Sequence, residues 1–251
     1  MLRSDLDQRH AEKEFSLTNI CAGRFDADLR RWAVGARAFG SPILVEWGTE
    51  PNGEWFAWNA RWNGRANGPA LYVQAYRHIV DLLRAAGAGN LQSVWHVNWD
   101  DDPAARWNRL ERYFPGQSYC DWLALSAYGA LTPRSLEIDR FRDEIDQVYP
   151  RLTRLAPGKP IIVAEFGCDI HNRKIPAAQW ARAALDDLFS KRWPAIIGFS
   201  WWNESWENDD NPAHNSDLNI LHDPELTAVF RMELSQHRDR LEEAPRLGNG
   251  R

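Results

Sequence analysis

Glu165 follows the apolar run Pro160-Ile161-Ile162-Val163-Ala164 and precedes Phe166-Gly167. Continuous apolar residues flanked by Pro and Gly suit a strand buried on both faces. An ionisable group at the C-terminal end of such a strand faces the crevice where α/β proteins bind ligands. Glu50 ends a similar segment far upstream, Pro42-Ile43-Leu44-Val45-Glu46-Trp47-Gly48-Thr49-Glu50. Two strand-end carboxylates suit glycosidic bond cleavage. In a retaining enzyme one attacks the anomeric carbon while the other, protonated, delivers a proton to the leaving oxygen, with ~5 to 5.5 Å between them. Taken singly, each glutamate could instead pair with an arginine, because structural ion pairs also perturb carboxylates. Of the nearby acids, Glu46 lies mid-strand at even spacing from Glu50 and is expected in an interior ion pair or hydrogen bond, while Glu54 falls in the following loop. Glu204, after the last strand, either contacts sugar hydroxyls or is solvated.

Fourteen tryptophans in 251 residues are the second signal, because apolar sugar faces stack on aromatic rings while hydroxyls bond to amides and carboxylates. Trp32, Trp107, Trp122, Trp180 and Trp193 fall in expected helices or strand starts and read as packing residues. Trp55, Trp58, Trp99, Trp201 and Trp206 fall at expected strand ends or in loops after them, and are substrate-binding candidates; a structural lid over the core is the alternative for each. His96 and Asn98 end the strand after Glu50, within reach of substrate hydroxyls. No metal site is expected. His96 with Asp100, Asp101 and Asp102 is a poor ligand set, since three acids before Pro103 suit a helix cap. Asn208-Asp209-Asp210-Asn211 lacks the spacing and closing Glu of a calcium loop and reads as a solvated turn. No cofactor is implied, for the sequence has neither a glycine-rich phosphate cradle nor a Ser-His-Asp arrangement with a recognisable elbow.

These residues are spaced by a strand and helix alternation. A helix opened by Asp26 carries the stripe Leu29, Trp32, Ala33 and Ala36; a second carries Tyr72, Tyr76, Ile79, Leu83 and Ala86 and is closed by Gly87. Strands are expected at 42–50, 91–98, 122–128, 160–167 and 195–202, and further helices after Pro103, over 136–155, over 176–192 and near 225–240. Such alternation implies a parallel sheet, and catalytic groups at several strand ends favour a TIM-type barrel over a doubly wound sheet. The expectation is one domain over residues 1–251, with an ordered core at about 16–240 and a charged tail from about Gln236. The formal net charge of −5 comes from intermixed charges, with no basic stripe for a phosphate backbone, so nucleic acid is not expected as a partner. No stretch reaches the ~18 apolar residues of a membrane span. Residues 1–10 are too polar for a secretory leader, so the chain as written reads as soluble and unexported; a leader further upstream would make it secreted, which leaves compartment open. Cys21, Cys120 and Cys168 are odd in number and widely spaced, which suits reduced structural thiols.

Thr49-Glu50-Pro51-Asn52-Gly53-Glu54-Trp55-Phe56-Ala57-Trp58 resembles the His-Glu-Met-Asn-Gly pattern, followed by Trp and Trp, of glycoside hydrolase family 26, the endo-β-mannanase family. The segment 160–167 is similar to the nucleophile strand of that family and its retaining clan. The resemblance implies a (β/α)8 barrel with Glu50, on strand four, as acid/base and Glu165, on strand seven, as nucleophile. It also implies that Tyr128 donates a hydrogen bond to Glu165, the alternative being a core tyrosine with a solvated tip, that Trp201 lines the cleavage subsite, and that the substrate is a β-linked polysaccharide, mannan first. Thr49 stands where the mannanases usually carry His, and Pro51 where they carry Met. The family's first three βα units have no counterpart in the sequence, so the expected fold is an α/β barrel of this type that is incomplete, with strands four to eight recognisable. A noncatalytic carbohydrate-binding relative, or a barrel needing missing strands or a partner chain, is the alternative.

Overall fold

In a computed structural model, residues 11–136 and 139–241 are described. They form two compact units. The first runs to Ala127 and adds Asp143–Phe166 and Pro194–Trp201; the second comprises Tyr128–Arg142, Gly167–Trp193 and the chain from Trp202 onward.

The first unit is built on a five-stranded parallel sheet of β1 (Ile43–Glu46), β2 (Leu91–Asn98), β3 (Trp122–Tyr128), β4 (Ile161–Gly167) and β5 (Ile196–Trp201), whose spatial order is their order in the chain. A doubly wound sheet reverses direction at a switch point, whereas successive parallel strands added always on the same side are the winding of a (β/α)8 barrel. The fold class is therefore the barrel type, present as five consecutive strands, as the alternation predicted. Leu123, Ala124, Leu125 and Ala127 of β3 are fully buried, which is why that strand reads as a continuous apolar run. Between β1 and β2, α3 (Gly68–Ala85) starts with Pro69 in its first turn and buries Tyr72, Tyr76, Ile79 and Leu83. Two of those phenols tie the helix to the sheet side: Tyr72 donates to the Gly48 carbonyl and Tyr76 to the Val94 carbonyl, each at 2.8 Å. Preceding β1 are α1 (Leu17–Cys21) and α2 (Asp26–Phe39), and α4 (Phe141–Leu155) precedes β4.

The second unit packs α5 (Ala177–Phe189) on α6 (Pro224–Gln236), with a two-stranded antiparallel ribbon of β6 (Ser205–Trp206) and β7 (Ser216–Asp217). Trp180 of α5 is 3% exposed, meets Phe141 edge-on at 5.7 Å and donates its indole N–H to the Asp139 carbonyl. Trp180 and Trp193 are core residues, as expected.

Several expectations are corrected. The strand foreseen over 42–50 is only four residues long, because the chain leaves the sheet at Gly48, whose φ of +66° and close approach to the Tyr72 ring both require glycine. The helix foreseen after Pro103 is only a 3₁₀ turn, Leu110–Tyr113, whose first N–H is accepted by Asp101. α4 starts at Phe141, with Leu136 outside it and 76% exposed. Trp32, expected to pack, is 38% exposed: α2 buries Ala33 and Ala36, and one residue is ~100° of rotation on a helix, which carries Trp32 out of that stripe. The three cysteines are free thiols, Cys120 and Cys168 buried and Cys21 partly so. No helix among the described residues is long and apolar enough to cross a membrane. α6 reaches Gln236 and a 3₁₀ turn follows at Arg238–Arg240; the charged tail expected beyond that falls mostly outside the described residues.

Candidate active site

The segment after β1 runs on beside the end of β2, in the parallel sense, and is fixed there by asparagines. The Glu50 N–H donates to the His96 carbonyl at 2.9 Å. Asn52, fully buried, accepts from the Asn98 N–H at 2.9 Å and donates to the carbonyls of Asn98 and Asp100 at 3.0 and 2.7 Å. Asn108 donates to the Asn52 carbonyl, and Asn59 donates to both the Pro51 carbonyl and Asn108. These amides pair nearly every polar group of a buried loop, as a dry environment requires. Held in this way, Glu50 adopts a left-handed backbone with φ +48° and is 7% exposed, an arrangement that a non-glycine residue keeps only when its surroundings impose it. Its carboxylate accepts the Trp55 indole N–H at 2.7 Å. Trp58 donates instead to the Thr49 carbonyl and stacks on Phe56 at 4.5 Å, so it braces the loop.

Glu165 lies within β4, two residues before its end, and not at the tip foreseen from sequence. Opposite β5, Val163 pairs with Phe199 and Phe166 with Trp201, so three steps on β4 match two on β5 and Glu165 sits in a bulge. Bulges re-aim side chains next to active sites. Phe166, buried behind it, meets Trp201 edge-on at 5.1 Å.

His96, whose carbonyl accepts the Glu50 N–H, has its ring within 4.8 Å of a Glu165 carboxylate oxygen. Glu46 pairs with Val94 across β1 and β2, so His96, two residues on, shares its face of the sheet. Its Nδ1 is 2.9 Å from Glu46 Oε2 and 2.9 Å from Thr49 Oγ1, and its Nε2 is 2.7 Å from Ser126 Oγ. Glu46 thus makes the ion pair its spacing implied, with its own side chain 34% exposed. Burial disfavours the imidazolium, but the charge and hydrogen bond of Glu46, followed by the charges of Glu165 and Glu50, lift the His96 pKa from 6.5 to about 9. Burial alone would raise Glu46; the neighbouring imidazolium with the His96 and Thr49 hydrogen bonds brings it below its ordinary value. Among the described residues, Glu46, His96 and Glu165 are a grouping of metal-ligand type, with donor atoms all within 4.8 Å of one another. Both imidazole nitrogens already have side-chain partners, so the grouping is built as an ion-paired cluster.

Of the other candidates, His96 is 1% exposed, with both ring nitrogens beside side-chain oxygens. Asn98 is 7% exposed, and its amide donates to Asp100. Trp99 and Trp201 are half-buried at the ends of β2 and β5. Tyr128 closes β3, and Trp206 lies on β6, donating its N–H to Asn208; both belong to the second unit. Glu204 and the 208–211 turn are exposed. Asp101, foreseen as part of a helix cap, accepts from the Leu110 N–H at the 3₁₀ turn and from Arg151 of α4. Sequence reasoning missed Asn52, Asn59 and Asn108. Their one sequence signal is Asn52 in the Pro-Asn-Gly turn after Glu50.

A barrel-type parallel sheet that gathers carboxylates and tryptophans at the strand ends is the build of a glycoside hydrolase. Residues 27–228 match the sequence model described as Glycosyl hydrolase family 26, and the chain belongs to that family. It is 29% identical over 221 residues to Endoglucanase H of Acetivibrio thermocellus, covering 87% of this chain and 23% of that protein. It is 28% identical over 189 residues to a mannan endo-1,4-beta-mannosidase of Bacillus subtilis, covering 73% and 46%. Among solved structures, a Bacillus subtilis mannanase aligns with TM-score 0.54 at 25% identity over 77% of this chain and 54% of that one. The catalytic domain of a Bacillus sp. JAMB-750 endo-beta-1,4-mannanase aligns with TM-score 0.62 at 21% identity over 85% and 56%, a likeness of fold. The chain spans less than half the length of these curated relatives.

Proposed function

We propose that the chain carries the catalytic centre of a retaining glycoside hydrolase that cleaves a β-linked polysaccharide, β-mannan first, by double displacement. Glu165 is the nucleophile and Glu50 the acid that protonates the leaving oxygen, then the base that activates water for the second step. The observation that supports this most is that Glu50 and Glu165, more than a hundred residues apart in sequence, meet at the same buried residue: the Glu50 N–H bonds the His96 carbonyl at 2.9 Å, and a Glu165 carboxylate oxygen lies within 4.8 Å of the His96 ring. Trp55 orients the Glu50 carboxylate, and the half-buried Trp99 and Trp201 offer apolar faces for sugar rings. The relatives named for endoglucanase and mannanase activity bracket the substrate class.

Reducing-sugar release from mannans, β-glucans and xylans is the test. Mannan is expected to be turned over fastest, and Glu165→Ala to abolish turnover of every substrate. Sugar binding without turnover in the intact protein would overturn the enzyme reading. A second reading, a barrel needing a partner chain, draws on the two edge strands, where Leu44 and Ile197 are 47% and 62% exposed.

A further inference from the structure

The cluster around His96 bears on how the proposed nucleophile, Glu165, is placed and charged. Resting on the reading that Glu165 is the attacking group, we propose that His96 is a fixed cation held between Glu46 and Glu165, a positioning residue that keeps Glu165 ionised. Three observations place it there. The donor atoms of Glu46, His96 and Glu165 lie within 4.8 Å of one another. His96 is 1% exposed, so its charge is poorly screened by water. Both ring nitrogens have oxygen partners, Glu46 and Thr49 on one and Ser126 on the other, a set that accepts two N–H donors without rearrangement.

The charged groups facing His96 are Glu46 on β1, Glu50 on the loop after it and Glu165 on β4; Ser126 on β3 is uncharged. From α3, burial keeps the Tyr72 and Tyr76 phenols neutral by raising them well above their ordinary value. The interaction is reciprocal: a carboxylate that favours the imidazolium is itself favoured as a carboxylate by the same energy. Glu46, outside the proposed chemistry, supplies the larger share of that anchoring and so leaves the cation available to Glu165. When the nucleophile becomes an ester its charge disappears, and the Glu46 to His96 pair remains intact for the second step.

The test follows the imidazole directly, by NMR titration of labelled histidine in the intact chain, with His96→Asn identifying the resonance. The expected wild-type midpoint is about 9. Glu46→Gln, at a side chain 34% exposed and so tolerant of substitution, is expected to lower the midpoint by at least about one pH unit. Glu165→Gln should lower it too, by less. A midpoint at or below 6.5, or one indifferent to Glu165→Gln, would overturn the proposal. This arm needs no turnover, so a protein that hydrolyses nothing would remove the functional reading while leaving the cation testable. In an active protein, His96→Asn should move the acidic limb of kcat/KM upward by about a pH unit. A profile lowered uniformly with its limb in place would mean that His96 only supports the fold.

Discussion

Glu50 keeps a left-handed backbone, at a cost of roughly 1 kcal/mol or more, because the buried amide of Asn52 clamps the loop behind it. Asn52→Ala deletes bonds to the Asn98 N–H and to two carbonyls, leaving buried groups unpaired. About 3 kcal/mol of stability should go with them, a fall of roughly 6 to 12 °C in melting temperature by calorimetry for a chain of this size. Activity should fall by more than the unfolded fraction accounts for, because Glu50 loses its support. Trp55→Phe is a milder probe: it keeps an aromatic side chain, smaller than the indole, and removes the N–H that Glu50 accepts. Hydrogen bonds to charged groups contribute about 1.5 to 3 kcal/mol, so kcat should drop roughly tenfold or more with KM within about twofold. An unchanged kcat would show that this bond does not orient the acid. The proposed pair, Glu50 and Glu165, stands out in the sequence because each follows an apolar run, a pattern with a clear physical cause. The asparagine clamp does not, since amides that pair with loop carbonyls carry no periodicity.

At the scale of elements, β3 matches its expected limits because burial on both faces leaves a nearly continuous apolar run, and β2, buried from Val94 to Asn98, matches too although Gln92, Ser93, His96 and Asn98 interrupt its apolar residues. The stretch 100–113 was misread for an equally physical reason. Three consecutive aspartates before a proline look like the cap of a helix that starts there, yet Asp101 accepts from the Leu110 N–H, nine residues on, and from Arg151 of α4 at 2.7 Å, and Arg151 also holds Glu111 at 2.8 Å. A tertiary ion pair decided what local propensity could not. Burial would raise Glu111, but hydrogen bonds from Arg151 and Arg109 outweigh it and hold the carboxyl at about 2. A depressed carboxylate contributes stability above its unfolded value near 4.5 that is lost as pH falls toward 2. Allowing for a side chain 28% exposed, this tie is worth on the order of 2 kcal/mol. Arg151→Met should therefore lower the melting temperature at pH 6 and flatten its dependence on pH below 4. An equally steep acid limb in the variant would assign acid sensitivity to other carboxylates.

For the whole molecule the two titrating centres oppose each other across the pH scale. His96 is raised from 6.5 to about 9, so its contribution is complete below 6.5 and disappears as pH rises through 9, the reverse of Glu111. Denaturant midpoints should form a plateau between about pH 4.5 and 6.5 and fall on both sides, with Glu46→Gln removing much of the alkaline fall. The sheet sets a second property of the intact chain. Among the described residues β1 pairs only with β2 and β5 only with β4, and each edge strand carries an exposed aliphatic residue, Leu44 or Ile197. Unpaired edges present rows of N–H and C=O groups to any other strand, and natural sheets usually blunt them with charge, proline or a covering segment. Neither Ile43–Glu46 nor Ile196–Trp201 contains lysine or proline. Light scattering during size exclusion at roughly 100 μM should therefore report species heavier than a monomer. A lysine in an edge strand opposes strand addition through its charge, so Leu44→Lys combined with Ile197→Lys should return the chain to the monomer. A monomeric wild type at that concentration would mean that these edges are already protected, and would remove the main support for a partner-dependent barrel.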